Sequence, residues 1–308
     1  MKKINIVIPS FNEEKNIPIV RERIDLVFSS LPNYTYEIIF VNDGSRDNTQ
    51  QVLEDLSKQY KEVKFIELSR NFGHQAALKA GVDNSNANAV ITMDGDLQHP
   101  PEVIPLLIKE WENGFDIIYT IRKYNINTSF IKSYTSDLYY KIISKISDVK
   151  FEKGAGADFR LLDAKAVEEI KQNKEADIFV RGLVRWVGFK QKGITFTAAD
   201  RENGISQYTI NKMFMLALAG VTSFSVKPLY LAAYLGFFFS FSALLYIPYI
   251  IYAFITNTEI SGWASLISTV VFFGGLQLII LGILGIYLGK VFKQVKDRPL
   301  FIVRTKNF

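Results

Sequence analysis

Residues 89–98 read Ala-Val-Ile-Thr-Met-Asp-Gly-Asp-Leu-Gln. A short, wholly apolar run ends abruptly in two carboxylates separated by a glycine. The run suits a buried strand. The turn lets Asp94 and Asp96 converge on one cation, and it equally suits a solvated turn. Working outward, residues 4–9, 37–42, 63–68 and 116–119 are further short β-branched runs. Stretches with helical periodicity fill 13–30, 48–60, 74–84 and 101–113. This alternation predicts an α/β fold with a mostly parallel, Rossmann-like sheet covered by helices on both faces. Ligands of such sheets bind outside the carboxyl ends of the strands.

Polar clusters fall at those ends. Pro9-Ser10-Phe11-Asn12-Glu13-Glu14 follows the first strand, Asn42-Asp43-Gly44-Ser45-Arg46-Asp47 the second, and Asp94-Gly95-Asp96-Leu97-Gln98 the fourth. Ser10 and Asn48 suit turn and helix-cap chemistry. Carboxylates crowded on one rim repel, and a bound divalent cation relieves that repulsion. The chain has no cysteine and two histidines, which excludes thiolate ligands and His-rich sites and leaves a hard cation on oxygen ligands. His74 is expected to cap or pack at a helix start, His99 to sit in a turn, and Trp111 and Trp186 to pack in the core or against helices. Neither Gly-x-Gly-x-x-Gly nor a Walker loop is present.

The last third differs. Between Pro228 and Gly289 the only charged residue is Glu259. Residues 229–255 and 263–288 are uncharged runs of 27 and 26 residues, each long enough to span a bilayer. The resulting division is a cytosolic domain over 1–205, a juxtamembrane helix over 206–227, a transmembrane hairpin over 228–289 and a cytosolic tail over 290–308. Lys212 and Lys227 precede the hairpin, Lys290, Lys293, Lys296 and Arg298 follow it, and the loop between the spans has no Lys or Arg. The positive-inside rule then places both termini in the cytoplasm of a multi-pass plasma (inner) membrane protein. Gly285 and Gly289 form a small-xxx-small pair that leaves a homo-oligomer, dimer or tetramer, open.

Residues 130–147 carry Phe130, Tyr134, Leu138, Ile142 and Ile146 at four-residue spacing, with Lys132, Lys141 and Lys145 on the flanks. That pattern fits an amphipathic helix at the membrane interface, or one packed on the sheet. The formal charge, 36 − 31 = +5, comes without a basic-aromatic module, so no nucleic-acid partner is expected.

Taken together, Pro9–Glu14, Val41-Asn42-Asp43-Gly44-Ser45 and Asp94-Gly95-Asp96-Leu97-Gln98-His99-Pro100-Pro101-Glu102 resemble the signature of family-two glycosyltransferases of GT-A fold. Ser69-Arg70-Asn71-Phe72-Gly73-His74-Gln75-Ala76-Ala77, Asp158-Phe159-Arg160-Leu161-Leu162-Asp163, Phe179-Val180-Arg181-Gly182-Leu183 and Arg201-x-x-Gly204-x-Ser206-x-Tyr208 resemble the polyprenyl-phosphate branch. That branch holds the bactoprenol glucosyltransferases and dolichyl-phosphate mannose synthases.

The resemblance implies an enzyme that moves a hexose, with inversion, from a nucleotide sugar (UDP-glucose first) to undecaprenyl or another polyprenyl phosphate at the membrane. The product would serve cell-envelope glycan modification. It implies that Pro9, Asn12, Glu13 and Asp43 hold the base and ribose, and that Arg201 and Ser206 meet the donor diphosphate. Asp94, near the ribose, would ligate Mg2+ or Mn2+ with Asp96 and Gln98. Asp158, beside the acceptor, and Asp96 are the catalytic candidates, and Arg122 and Lys132 match basic positions near the acceptor phosphate. Asp158 is expected to orient the acceptor, with a general-base role open. Asn42 departs from the usual aspartate, and Gln207 from the usual lysine. Alternative donors are GDP-mannose, a UDP-N-acetylhexosamine or a UDP-aminopentose derivative. A catalytically inactive, membrane-anchored nucleotide-sugar-binding module is the competing class.

Overall fold

The computed structural model describes residues 1–123, 158–176, 178–197, 222, 225–256 and 262–308. Its N-terminal part alternates as the apolar pattern dictates. Strand β1 (Lys2–Ser10) leads to α1 (Asn16–Ser29), β2 (Tyr34–Asn42) to α2 (Thr49–Gln59), and β3 (Val63–Leu68) to α3 (His74–Asp83). β4 (Ala89–Thr92) is followed by a 3-10 turn (Pro101–Val103), α4 (Ile104–Glu112) and β5 (Ile117–Lys123). The helix expected over 101–113 divides because the prolines at 101 and 105 lack the N–H that would extend it continuously.

β6 (Arg160–Asp163), α5 (Ala164–Gln172), α6 (Val180–Trp186) and β7 (Gln191–Thr197) complete the domain. The eight strands form one sheet in the order β7-β5-β6-β4-β1-β2-β3-β8, where β8 is Val303–Lys306. β1 pairs in parallel with β2 and β4, β2 with β3, and β5 with β7. β6 is antiparallel to both β4 and β5, and β8 is antiparallel to β3. The sheet is therefore mixed. Its expected parallel character holds at the centre and fails where β6 inserts.

β1 shows why both faces are buried. Ile4, Ile6 and Ile8 pack with Ile17, Ile24, Phe40 and Leu107 on one side. Val7 packs with Ile39, Val41, Leu78 and Leu162 on the other. Each fully buried aliphatic side chain contributes about 1.5–3 kcal/mol relative to exposure. Trp111 joins the core, and its indole N–H donates to Asp163 at 2.7 Å. Trp186 does not: it stands 67% exposed at the end of α6.

Two long helices follow, α7 (Lys227–Ile255) and α8 (Trp263–Val295). Phe239 of α7 meets the rings of Phe272 and Phe273 of α8 at 5.7 and 5.6 Å. Among the described residues, one helix, Ser265–Val295, is long and apolar enough to cross a membrane. Its large side chains, Val271, Leu278 and Leu288 among them, stand exposed along its length. Residues 290–308 extend α8 to Val295 and supply β8. The amphipathic segment 130–147 and most of the juxtamembrane segment 206–227 lie outside the described residues.

Candidate active site

Because β1 to β4 run in parallel, the loops after them share one rim. β6 runs the other way, so its start reaches that rim: Arg160 pairs with Thr92, and Asp158 precedes it. Thr92 Oγ1 donates to the Asp158 carbonyl at 2.7 Å, fixing this residue beside Asp94.

The residues expected on the donor side are tied loop to loop. Asn12 adopts the left-handed conformation, φ 58°. Its N–H donates to Ser45 Oγ at 2.9 Å, and its Oδ1 accepts from Arg46 N at 2.8 Å. Glu13 N donates to Thr49 Oγ1 at 3.0 Å. Pro9, still within β1, lies opposite Val41. Asn42 is a turn residue, accepting from Ser45 N at 2.9 Å and donating to Gln50 at 3.0 Å. Asp43 reaches the loop after β3, accepting from Phe72 N at 2.7 Å and Gly73 N at 2.9 Å. That contact demands Gly44: its φ is 66°, and a Cβ there would lie 2.5 Å from the Arg70 carbonyl carbon. Asn48 makes no capping bond with its side chain; Asp47 Oδ1 accepts from Thr49 N instead.

In the acidic turn the sharp bend falls at Leu97, φ 63°, rather than at Gly95. Gly95 is small for another reason: its Cβ would sit 3.3 Å from Ile8 Cγ2. A buried leucine in left-handed backbone is strain of the kind that persists at functional sites. Asp96 Oδ1 accepts from Gln98 N at 3.1 Å, and Gln98 itself is buried. His99 stacks on Phe159 at 5.3 Å, and its Nδ1 accepts from Asp94 N at 2.9 Å.

Asp158 is 1% exposed and ionic on several sides. Arg181 Nε reaches both its oxygens at 3.0 Å, and Nη2 donates to Oδ2 at 2.8 Å. Arg160 Nη2 stands 3.6 Å from Oδ1, and Gln75 donates to Oδ2 at 3.2 Å. His74 Nε2 lies 3.2 Å from Asp158 Oδ2 and 3.4 Å from Asp94 Oδ1, joining the two carboxylates.

The electrostatics follow this layout. Burial would raise the Asp158 pKa, but Arg181, His74 and Arg160 outweigh it and hold the carboxyl well below its usual range. A carboxylate so stabilised is a poor proton acceptor. Burial lowers the Arg160 guanidinium to about 10 despite Asp158. For His74, burial pulls the pKa down, while Asp158 and Asp94 push it up and prevail. Burial raises Glu13, and Asp96, Asp47 and Asp94 raise it further against a hydrogen bond from Asn16. Burial also raises Asp43, opposed by the Phe72 and Gly73 amides.

The oxygen donors suit a divalent cation. Asp94 Oδ1 is buried and accepts no hydrogen bond, and the neighbouring carboxylates repel one another. Among the described residues no three Asp, Glu or His side chains form a closed metal site. Mg2+ needs none, since one or two carboxylates suffice when water and substrate phosphate fill the rest.

Of the other expected contacts, Arg122 falls in β5 opposite Phe196, while Lys132, Arg201 and Ser206 lie outside the described residues. Two contributors were not assigned roles from the sequence. His74, expected at a helix start, does begin α3, and its ring also bridges the site. Arg181 sat in a motif without an assigned partner. Both meet Asp158 across 84 and 23 residues, a proximity that only the inserted β6 creates.

The sequence comparisons assign the chain to one family. The glycosyl transferase family 2 model matches residues 5–171, and the chain belongs to that family. It is 40% identical over 301 residues to the uncharacterized glycosyltransferase YkcC of Bacillus subtilis (strain 168), covering 97% of this chain and 93% of that protein. It is 39% identical over 310 residues to the SfII prophage-derived bactoprenol glucosyl transferase of Shigella flexneri, covering 99% and 98%. Among solved structures, glucosyl-3-phosphoglycerate synthase from Mycobacterium tuberculosis is similar with a TM-score of 0.49 at 15% identity, covering 72% of this chain and 79% of that one. The protein is a glycosyltransferase, and its motif resemblance to the polyprenyl-phosphate branch is borne out along the chain.

Proposed function

We propose that the enzyme transfers glucose from UDP-glucose to undecaprenyl phosphate at the cytoplasmic face of the membrane. The carrying observation is Asp94 Oδ1, buried, accepting no hydrogen bond and 3.4 Å from His74 Nε2, on a rim of mutually repelling carboxylates, with Asp158 held ionised beside it. Glucose and the lipid acceptor are favoured by the full-length likeness to a relative named bactoprenol glucosyl transferase.

Asp94 and Asp96, with Gln98, would hold Mg2+ or Mn2+, and a cation bound there would neutralise charge developing on the departing diphosphate. Asn12, Glu13 and Asp43 form the donor side, with Pro9 at the end of β1, and Arg201 and Ser206 meet the diphosphate. The acceptor phosphate, steered by Arg122 and Lys132, attacks the anomeric carbon directly. The new oxygen–carbon bond forms as the bond to UDP breaks, and UDP leaves with the electron pair. One displacement gives inversion. A phosphate monoester, with a second pKa near ~6, is already mostly dianionic at neutral pH, so no base is required. Asp158 therefore orients and sets the field through Arg181 and His74, in place of accepting a proton.

α7 and α8 cross the bilayer as a hairpin with both ends cytoplasmic. The lysines following the second uncharged run, Lys290, Lys293 and Lys296, and the return of β8 to the catalytic sheet both favour this arrangement. The test is a donor panel with full-length protein, Mg2+ or Mn2+ and a short polyprenyl phosphate, with the glycolipid weighed by mass spectrometry. A hexosyl-phosphate lipid from UDP-glucose is expected. Product from GDP-mannose or another UDP-sugar alone replaces the donor, and no product from any donor rejects the function.

A further inference from the structure

α8 does not stop where its uncharged run ends. It continues past Leu288 to Val295, so Gln294 lies six residues, roughly 9 Å, beyond that boundary. There its side-chain amide closes on the backbone of a distant loop: Oε1 accepts from Ala176 N at 2.8 Å, and Nε2 donates to Lys174 O at 3.0 Å. Seven residues earlier, on the same helix face, Tyr287 Oη donates to Ser225 O at 2.7 Å, two residues before α7 begins. One face of α8 thus grips the entrance of the hairpin and the catalytic domain together.

The gripped loop leads straight to the reaction centre. From Ala176 the chain runs five residues to Arg181, which holds Asp158 through three hydrogen bonds. On the way, Val180 N donates to Gln75 Oε1 at 3.0 Å, and Gln75 Nε2 donates to the same Asp158. Beyond the helix, β8 returns to β3 through a separate contact, with Arg304 and Thr305 each 3.0 Å from Glu67.

We propose that Gln294 is a positioning residue: its amide clasp transmits the seating of α8 to the Arg181–Asp158 pair and so sets the turnover rate. This rests on the reading of Asp158 as the acceptor-side residue. The chemistry is held in register with the lipid layer by a peptide-like contact, and β8 supplies the second attachment.

The test uses full-length protein in lipid nanodiscs. Gln294→Ala is expected to lower kcat roughly three- to tenfold while KM for the nucleotide sugar stays within about twofold, since a small misplacement near the reacting atoms costs rate before donor binding. Gln294→Glu keeps the acceptor for Ala176 N, loses the donor to Lys174 O, and falls between. The double variant Arg304→Ala/Thr305→Ala loosens β8 without touching the clasp and keeps wild-type kcat. Hydrogen exchange at amides 173–181 is expected to quicken several-fold in Gln294→Ala and to stay unchanged in the β8 variant. Unchanged exchange at those amides overturns the proposal. So does quicker exchange with unaltered kcat, or an equal loss of kcat in the β8 variant. Exchange is read without substrate, so a wild-type protein that makes no glycolipid overturns the functional reading, and unchanged exchange overturns the clasp.

Discussion

His74 Nε2 stands 3.2 Å from Asp158 Oδ2 and 3.4 Å from Asp94 Oδ1, so one imidazole links the acidic turn after β4 to the carboxylate before β6. The two carboxylates enter the rim from strands of opposite direction. The histidine reaches them from a third element, the first turn of α3.

His74→Ala should therefore damage turnover more than folding. Partners that orient metal-ligating groups are typically worth roughly 10–100-fold in activity. A kcat loss in that range is expected, with the melting midpoint little changed. Steady-state kinetics beside a thermal melt checks both.

Asp158→Asn should be costly to stability. It leaves Arg160, 4% exposed, and Arg181 without their carboxylate, and breaking a buried pair costs about 3–5 kcal/mol. The pH dependence has a definite sign. The folded pKa is depressed, so this contribution is fully present above the unfolded value near ~3.9 and is lost as pH falls through the folded value. The stability gap between wild type and Asp158→Asn should be widest at about pH 5, where His74 carries its proton, shrink as pH rises through the raised His74 value, and narrow again below about 4. Denaturant titrations across that range measure it.

Much of this was legible in the chain, and the missing parts share a cause. The strands up to β5 and their helices follow from local apolar pattern, as do the clusters holding Asp43, Asp94 and Asp96. β6, β7 and β8 escape the local pattern: β6 and β8 are four residues long, and all three complete the sheet only through partners far away in sequence. Asp158 was found by motif resemblance. Its enclosure by Arg181, His74 and Gln75 depends on β6 running backwards between β4 and β5, which no local periodicity encodes.

Gly44→Ala tests the donor side. The new methyl would meet the backbone of Arg70 and Asn71 at 2.5–2.6 Å, in a residue with φ 66°. Left-handed backbone alone costs about 1–2 kcal/mol for a side chain, and the clash adds to it. The displaced loop carries the amides that hold Asp43, so UDP affinity should fall together with stability. Calorimetric titration with UDP and a melt on the same preparation decide this.

The most direct measurement of the proposed metal-centred chemistry is glycolipid formation by full-length, membrane-inserted protein, wild type beside Asp96→Ala, in chelator and after adding back Mg2+ or Mn2+. Wild type should fall silent in chelator and recover with the cation. Asp96→Ala should stay at least about 100-fold below the cation-supplied wild type in both conditions, the loss expected when the charge-neutralising ion is no longer held. Glycolipid made by folded Asp96→Ala in chelator at the wild-type rate would contradict it.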